Sequence, residues 1–510
     1  MNVASDANKD TVTTGDPGLD HVLMGGLLRG ASYLVQGDPG AGKTTLALQF
    51  MQAHIRDREQ CLYVSLTESR RDLESTCLSH GWSLEGLELL DLTPTTDALV
   101  AGQQTSVFHP ADTELSEIMK TVSAAAARFK PRYVVFDGLA ELRLLSGEPL
   151  RYRRQLLGLK RLFAEQRATV LMLDDRTSTF SDFQPESLMS GNVILERHLP
   201  AYGRARRQLV VTKVRGGNFR EGFHEYEIIT GGLVVQPRLV ASEHHIDVPH
   251  ELRSSGIANL DAMLHGGLTT GSTTLLLGPA GAGKSTLSVQ FVMQTLKAGK
   301  KAAIYIFDEV LHILIERSEK LCFGKRGGFT SFMREGLLHV QQVDPAEKSP
   351  GAFAHEVRRA VEAGAETVVI DSLNGYLNAM PEERFLSTHL HELFAYLNQK
   401  GILTIIVVAQ HGMLFSSSHG SEFDVSYLAD TVILFRYFEA KGAVSQAISV
   451  FKKRTGPHER TIRELSIDER GVHVGEPLRQ FRGIMTGVPQ YEGGSASDAG
   501  ASDPPGRGRA

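Results

Sequence analysis

Two stretches of this chain carry phosphate chemistry. GDPGAGKT, from Gly37 to Thr44, and GPAGAGKS, from Gly278 to Ser285, both fit GxxxxGK[ST]. Each follows a short apolar run and precedes an amphipathic one, the strand, loop and helix setting that the pattern requires. Gly37, Gly40 and Gly42, and Gly278, Gly281 and Gly283, let backbone N–H groups turn inward around phosphate oxygens, and the positive end of the next helix adds to their field. Lys43 and Lys284 are spaced to reach the β- and γ-phosphates. Thr44 and Ser285 supply a hydroxyl ligand to Mg²⁺, and the adjoining Thr45 and Thr286 complete the nucleotide-binding set. The pattern predicts ATP with Mg²⁺, held twice.

Carboxylates stand where such a site needs them. Asp137 and Asp371 each close a four-residue apolar run, which places an acid at the carboxyl edge of a buried strand and suits a Mg²⁺ ligand. The competing reading is a cap on the following helix. Glu68 and Glu309 close the strand after each phosphate-loop helix, where a carboxylate orients or deprotonates the attacking water; an exposed strand-end acid is the plainer alternative. Asp308 precedes Glu309 but Thr67 precedes Glu68, so the two sites differ. Lys213 and Arg215, and Lys452 and Arg454, alternate along what reads as an edge strand. Both side chains of a pair then point one way, toward a phosphate held elsewhere, including on a neighbouring subunit. Lysine also guards sheet edges against aggregation, which is the structural alternative. Gln410 and His411 end the run ILTIIVVA, and fit a γ-phosphate sensor or simply a polar strand end.

The elements that position these residues occur twice. LDHVLMGGLLRGASYLVQGDPGAGKTTLALQF from Leu19 lines up with LDAMLHGGLTTGSTTLLLGPAGAGKSTLSVQF from Leu260 at an offset of 241 residues, still held from Glu68 to Glu309. In the first copy the apolar runs ASYLVQG, CLYVSLTE, RYVVFDG, ATVLMLDD and RQLVVTKV alternate with helical stretches such as TELSEIMKTVSAAAARFK and YRRQLLGLKRLFAEQ. That alternation predicts an α/β fold, a largely parallel sheet flanked by helices with an antiparallel hairpin edge. The expected domains are 11–240 and 241–485, with the boundary in the polar stretch from Gln236 to His250. The Gly/Ser/Ala/Pro-rich tail, 486–510, is expected to be disordered.

Composition narrows the function classes. The 510 residues are 42% hydrophobic and 22% charged, an ordinary globular balance, and too many for a single core. A net charge of −5 provides no global field to gather nucleic acid or anionic lipid. Cys61, Cys77 and Cys322 have no metal-ligand spacing and fit a reducing compartment. MNVASDANKD lacks a secretion-signal pattern and ILTIIVVA is too short to span a bilayer, so the expectation is a cytoplasmic protein with no membrane partner.

Two fused copies of this plan, each with MGGL or HGGL ahead of its phosphate loop, resemble the KaiC family of the RecA superfamily. TESRRDL, IFDEVL, AISVFKKRTGPHERTIREL and DVSYLADTVILF carry the likeness, which runs from about Thr11 to about Met485. The resemblance implies two tandem RecA-like ATPase domains, ATP-driven homohexamers with nucleotide at subunit interfaces, hydrolysis in both rings and autophosphorylation in the second. It implies catalytic roles for Glu68, Asp308 and Glu309, where the family has adjacent glutamates. It places Lys213, Arg215, Lys452, Arg454 and His458 at a neighbour's nucleotide, Ser79 and Phe323 at the base or ribose, and Ser426 and Tyr427 at the self-phosphorylated Ser-Thr pair. Tyr427 departs from that pair, and the tail after Met485 shows no clear match to the family's partner-binding end.

Three functional readings follow. One is a double-ring ATPase and autokinase in signalling, with clock partners not supported by the tail. A second is a nucleic-acid motor, which wants basic channel loops and stacking platforms; GMLFSSSHGSEFD, the loop after His411, contains neither Lys nor Arg. The third is a scaffold that assembles on ATP without turning it over.

Overall fold

Short runs of Val, Ile, Leu and Tyr do form the strands, and they build two nine-stranded sheets with the same order. The computed structural model describes residues 10–93, 110–176, 184–200, 203–240, 250–321, 328–344, 346–378, 386–409, 426–440, 442–469, 471–484 and 490–491. The chain divides into two compact units between Arg238 and Leu239. In the first, the sheet runs Leu87–Asp91, Cys61–Ser65, Tyr133–Asp137, Thr169–Asp175, Ser32–Gly37, Gly191–His198, Arg206–Val214, Phe223–Ile229, Gly232–Gln236. The first six strands are parallel and the last three antiparallel. In the second unit the corresponding order is Leu338–Gln342, Lys301–Ile306, Ala365–Asp371, Leu403–Ala409, Thr273–Gly278, Thr431–Ala440, Ala443–Lys453, Ile462–Asp468, Gly471–Pro477.

Both faces of each sheet are covered, which is why the parallel strands read as continuous apolar runs. Alternate residues go to opposite layers. Tyr133 and Val135 pack with the phosphate-loop helix Lys43–Arg56, through Phe50 and Met51. Val134 and Phe136 pack with Leu139, Leu142, Leu156 and Phe163 of the helices Leu139–Ser146 and Pro149–Glu165. In the second unit Val369 joins the layer of Phe291 and Val292, while Val368 and Ile370 join Leu390 and Phe394. Local signals set the helix starts: Pro149 opens its helix, and Ser69 with Asp72 forms a capping box ahead of Arg70–Ser79.

Three details differ from the sequence reading. Arg206–Val214 and Ala443–Lys453, which carry Lys213 and Lys452 and end one residue before Arg215 and Arg454, are not edge strands; two further strands continue each sheet beyond them. The strand Gly191–His198, polar at one end and opened by glycine, escapes a search for apolar runs, yet it pairs directly with Ser32–Gly37. Past Met485, Gln490 and Tyr491 pair with Arg482 and Phe481, so strand pairing extends beyond the point where composition predicts disorder to begin; the remainder of the tail lies outside the described residues. Cys61 and Cys77 are buried free thiols, and Cys322 lies outside the described residues. No helix among the described residues is long and apolar enough to cross a membrane.

Candidate active site

Each phosphate loop leaves the carboxyl end of a central strand and winds directly into a helix, Lys43–Arg56 or Lys284–Lys297. The residue at the junction must be glycine. Gly42 has φ 104° and Gly283 φ 94°, and a Cβ at either would sit 2.6 Å from Ile228 Cδ1 or 2.7 Å from Ile467 Cδ1. Neither helix has a side-chain cap, so its first N–H groups point into the loop without a side-chain acceptor. Lys43 Nζ donates to the carbonyls of Gly37 (2.9 Å) and Asp38 (3.1 Å). Lys284 Nζ does the same with Gly278 (2.8 Å) and Pro279 (2.6 Å). Both ammonium groups thus lie inside the turn they would fill with phosphate.

The acids gather at the same sheet end. Asp137 is the last residue of its strand, 7% exposed, and accepts a 2.7 Å hydrogen bond from the fully buried Tyr63 hydroxyl. Burial pushes its carboxyl up to about 6 against that hydrogen bond, and Glu68 adds repulsion. Asp371 is likewise pushed up to about 6, by burial first, while a hydrogen bond from Ser285 pulls the other way. Thr44 and Asp137, and Ser285 and Asp371, are hard oxygen donors that fit Mg²⁺. No group of three His, Cys, Asp or Glu side chains forms a metal cluster among the described residues. An ion held here would therefore draw its other ligands from phosphate and water.

Glu68 and Glu309 lie three residues past their strands, in the turn before the next helix and not at the strand end itself. The two are engaged differently. Glu68 is half-buried, accepts from Thr44 Oγ1 at 3.2 Å, and burial raises its carboxyl above the usual range. Ser65 fixes its backbone, accepting from Glu68 N at 3.0 Å and donating to Glu68 O at 2.7 Å. Glu309 instead pairs with Arg317 at 2.8 Å, and the same guanidinium donates to Thr286 Oγ1 at 3.1 Å. Arg317 has no counterpart in the first copy, where the offset of 241 lands on Thr76. Asp308 is exposed and accepts from the Ser372 hydroxyl; Thr67 is exposed.

Sequence reasoning missed Arg317 and Asp175. The latter ends Thr169–Asp175 level with Gly37 and pairs with Lys43 at 2.6 Å. The doubled acid in LDDR was a visible signal, but nothing local shows which loop it faces.

The cation pairs sit at the other end of the sheet. Lys213 is level with Asn192, and Asn192 with Leu34, three residues short of Gly37, or about 10 Å at 3.3 Å per residue. Arg215 N bonds Ser190 O, and Ser190 N bonds Ser32 O, about 16 Å from Gly37 by the same measure. Lys452 and Arg454 repeat this geometry through Val432 and Asp430. Within the chain these side chains hold short turns. Lys213 Nζ donates to Glu186 O (2.6 Å) and Arg215 to Ser187 O (2.7 Å). Lys452 Nζ donates to Ala429 O (2.6 Å) and Arg454 to Tyr427 O (3.5 Å). The turn held in the second unit is Ser426–Leu428, whose Tyr427 is exposed; the Ser426 side chain lies outside the description. His458 is half-buried, its Nε2 lacks a hydrogen-bond partner, and burial holds its pKa below the usual value. Ser79 ends its helix, exposed, with its hydroxyl on Thr76 O at 2.8 Å. Phe323, Gln410, His411 and the loop 412–424 lie outside the described residues.

Known proteins share this plan. Residues 12–240 and 253–479 each match the profile of the family described as "ATPase: KaiC". The circadian clock oscillator protein KaiC of Thermostichus vulcanus is 27% identical over 500 residues, covering 95% of this chain and 93% of the relative. The same-named protein of Acaryochloris marina is 26% identical over 504 residues, at 95% and 93% coverage. The circadian clock protein KaiC3 of a Synechocystis species is 25% identical over 495 residues, at 94% and 95% coverage. With two phosphate loops on tandem RecA-like sheets and a family profile matched across both, this chain belongs to the KaiC ATPase family.

Proposed function

We propose that this chain binds and hydrolyses ATP at both loops as a homohexamer, and that its second domain also transfers phosphate to Ser426. The observation that carries the reading is the placement of Lys213, Arg215, Lys452 and Arg454 about 10–16 Å along the sheet from their own phosphate loops. Any phosphate these cations meet belongs to another subunit, so a site completed by them is shared between chains. The expected domains are 11–240 and 241–485.

In each domain Lys43 or Lys284 exchanges its loop carbonyls for the β- and γ-phosphates. Thr44 and Asp137, and Ser285 and Asp371, would hold Mg²⁺, which would supply charge neutralisation to the phosphates. Glu68 orients and deprotonates the attacking water, a task suited to a carboxylate whose basicity burial has raised. In the second domain Asp308 and Glu309 act together: Asp308 takes the proton of the Ser426 hydroxyl as its oxygen bonds to the γ-phosphorus of a nucleotide brought by the adjoining subunit, and the bond from the γ-phosphorus to the β–γ bridging oxygen breaks to release ADP. Ser79 and Phe323 contact the base or ribose, and His458 joins the cations facing a neighbour's nucleotide. The relatives are named as circadian clock proteins, which supports a slow nucleotide-driven signalling role in the cytoplasm, with partner proteins reading the phosphorylated state.

The test is ATP turnover, native sizing and intact mass for wild type, Lys43→Ala, Lys284→Ala and Ser426→Ala. Each lysine change is expected to remove its own domain's share of turnover, and bound phosphate to disappear only from Lys284→Ala and Ser426→Ala. An unchanged intact mass in wild type after many hours with Mg-ATP would remove the kinase half; a monomer in ATP would remove the shared sites.

A further inference from the structure

In the first domain the ammonium of Lys43 is held by two loop carbonyls and also by a carboxylate of the same chain, Asp175, at 2.6 Å. The contact is built into the sheet. Ser32–Gly37 and Thr169–Asp175 are adjacent parallel strands with Gly37 opposite Asp175, so the last residue of one strand always faces the first residue of the phosphate loop. The second domain keeps the register, Gly278 opposite Ala409, but the residue there carries no carboxylate. Lys284 is left with its two loop carbonyls and, among the described residues, no acid at ion-pair distance.

Lys43 cannot hold Asp175 and a terminal phosphate at hydrogen-bond distance without bringing two negative groups within about 5 Å of each other. Triphosphate binding at the first site therefore requires that the internal anion be displaced and then left beside the incoming one. Among the described residues, no carboxylate is paired with Lys284 in the same way. We propose that Asp175 is a specificity-determining residue that competes with the terminal phosphate for Lys43 and lowers the ATP affinity of the first site. The inference rests on the reading of both loops as ATP sites. Side-chain exposures of 12% for Lys43 and 37% for Asp175 mark a partly solvated pair, whose loss changes affinity about fivefold.

The test uses the full chain, with Lys284→Ala to silence the second site, and measures equilibrium binding of fluorescent ATP and ADP with Mg²⁺. Asp175→Asn is expected to tighten ATP about fivefold and ADP less, and Asp175→Glu to keep the parent affinity. Transplanting the acid as Ala409→Asp in a Lys43→Ala chain is expected to weaken ATP at the second site by a similar factor. Unchanged or weaker ATP binding in Asp175→Asn, with Ala409→Asp silent, would overturn the role of Asp175 alone. Absence of any nucleotide binding to the Lys284→Ala parent would overturn the site reading, and this inference with it.

Discussion

Asp137 supplies the most informative perturbation because its proposed role and its cost to the fold have opposite signs. The carboxyl is raised from 3.8 to about 6, chiefly by burial. A raised folded-state value means that the protonated form is favoured in the fold. Its stabilisation is complete below about pH 4 and is lost as pH rises through about 6. A shift of about 2 units corresponds to about 3 kcal/mol lost by pH 8. Asp137→Asn keeps an acceptor for Tyr63 and removes the charge, at a cost of about 1 kcal/mol for an amide N–H left unpaired. The substitution is therefore expected to stabilise the nucleotide-free first domain by about 2 kcal/mol at pH 8, and to leave it about 1 kcal/mol weaker near pH 4. Trp82 is the chain's single tryptophan and is buried in that domain's core, so its fluorescence during urea unfolding in EDTA reports the right unit. The same variant should lose ATP turnover from the first domain. A stability difference that does not change with pH, or a variant weaker at pH 8, would refute the reasoning.

Other consequences concern the loops and their partners. Gly42→Ala puts an L side chain at a left-handed φ of 104° and displaces Ile228 Cδ1 from a 2.6 Å approach, so about 2 kcal/mol of stability and most first-site nucleotide binding should be lost, read from the urea midpoint and from nucleotide titration. Arg317→Met leaves Glu309 half-buried without its cation and should cost the second domain about 1 kcal/mol, read as a shift of the urea midpoint. Shared sites predict complementation: Lys284→Ala chains and Lys452→Ala/Arg454→Ala chains, each deficient alone in second-domain turnover, should recover activity when mixed and reassembled. Mixing without recovery would place the cations outside the reaction.

The sequence makes the loops and the acids Asp137 and Asp371 legible because strand, loop and helix are contiguous there. A four-residue apolar run needs no tertiary information to put its next residue at the carboxyl edge. The tandem sheets were legible for the same reason, since an offset of 241 residues is visible in the letters alone. What stayed hidden depends on register between distant strands. Asp175 meets Lys43 only because two parallel strands align Gly37 with it, and Lys213 reads as an edge residue until Phe223–Ile229 and Gly232–Gln236 extend the sheet. Arg317 was hidden because a helical arginine eight residues past Glu309 looks like any solvated cation until the helix turns it back toward the loop.

The central claim is that one chain grips ATP twice. Equilibrium dialysis with Mg-ATP under conditions that suppress turnover should give two nucleotides per chain for wild type and one each for Lys43→Ala and Lys284→Ala. A wild-type value of one or none would contradict it.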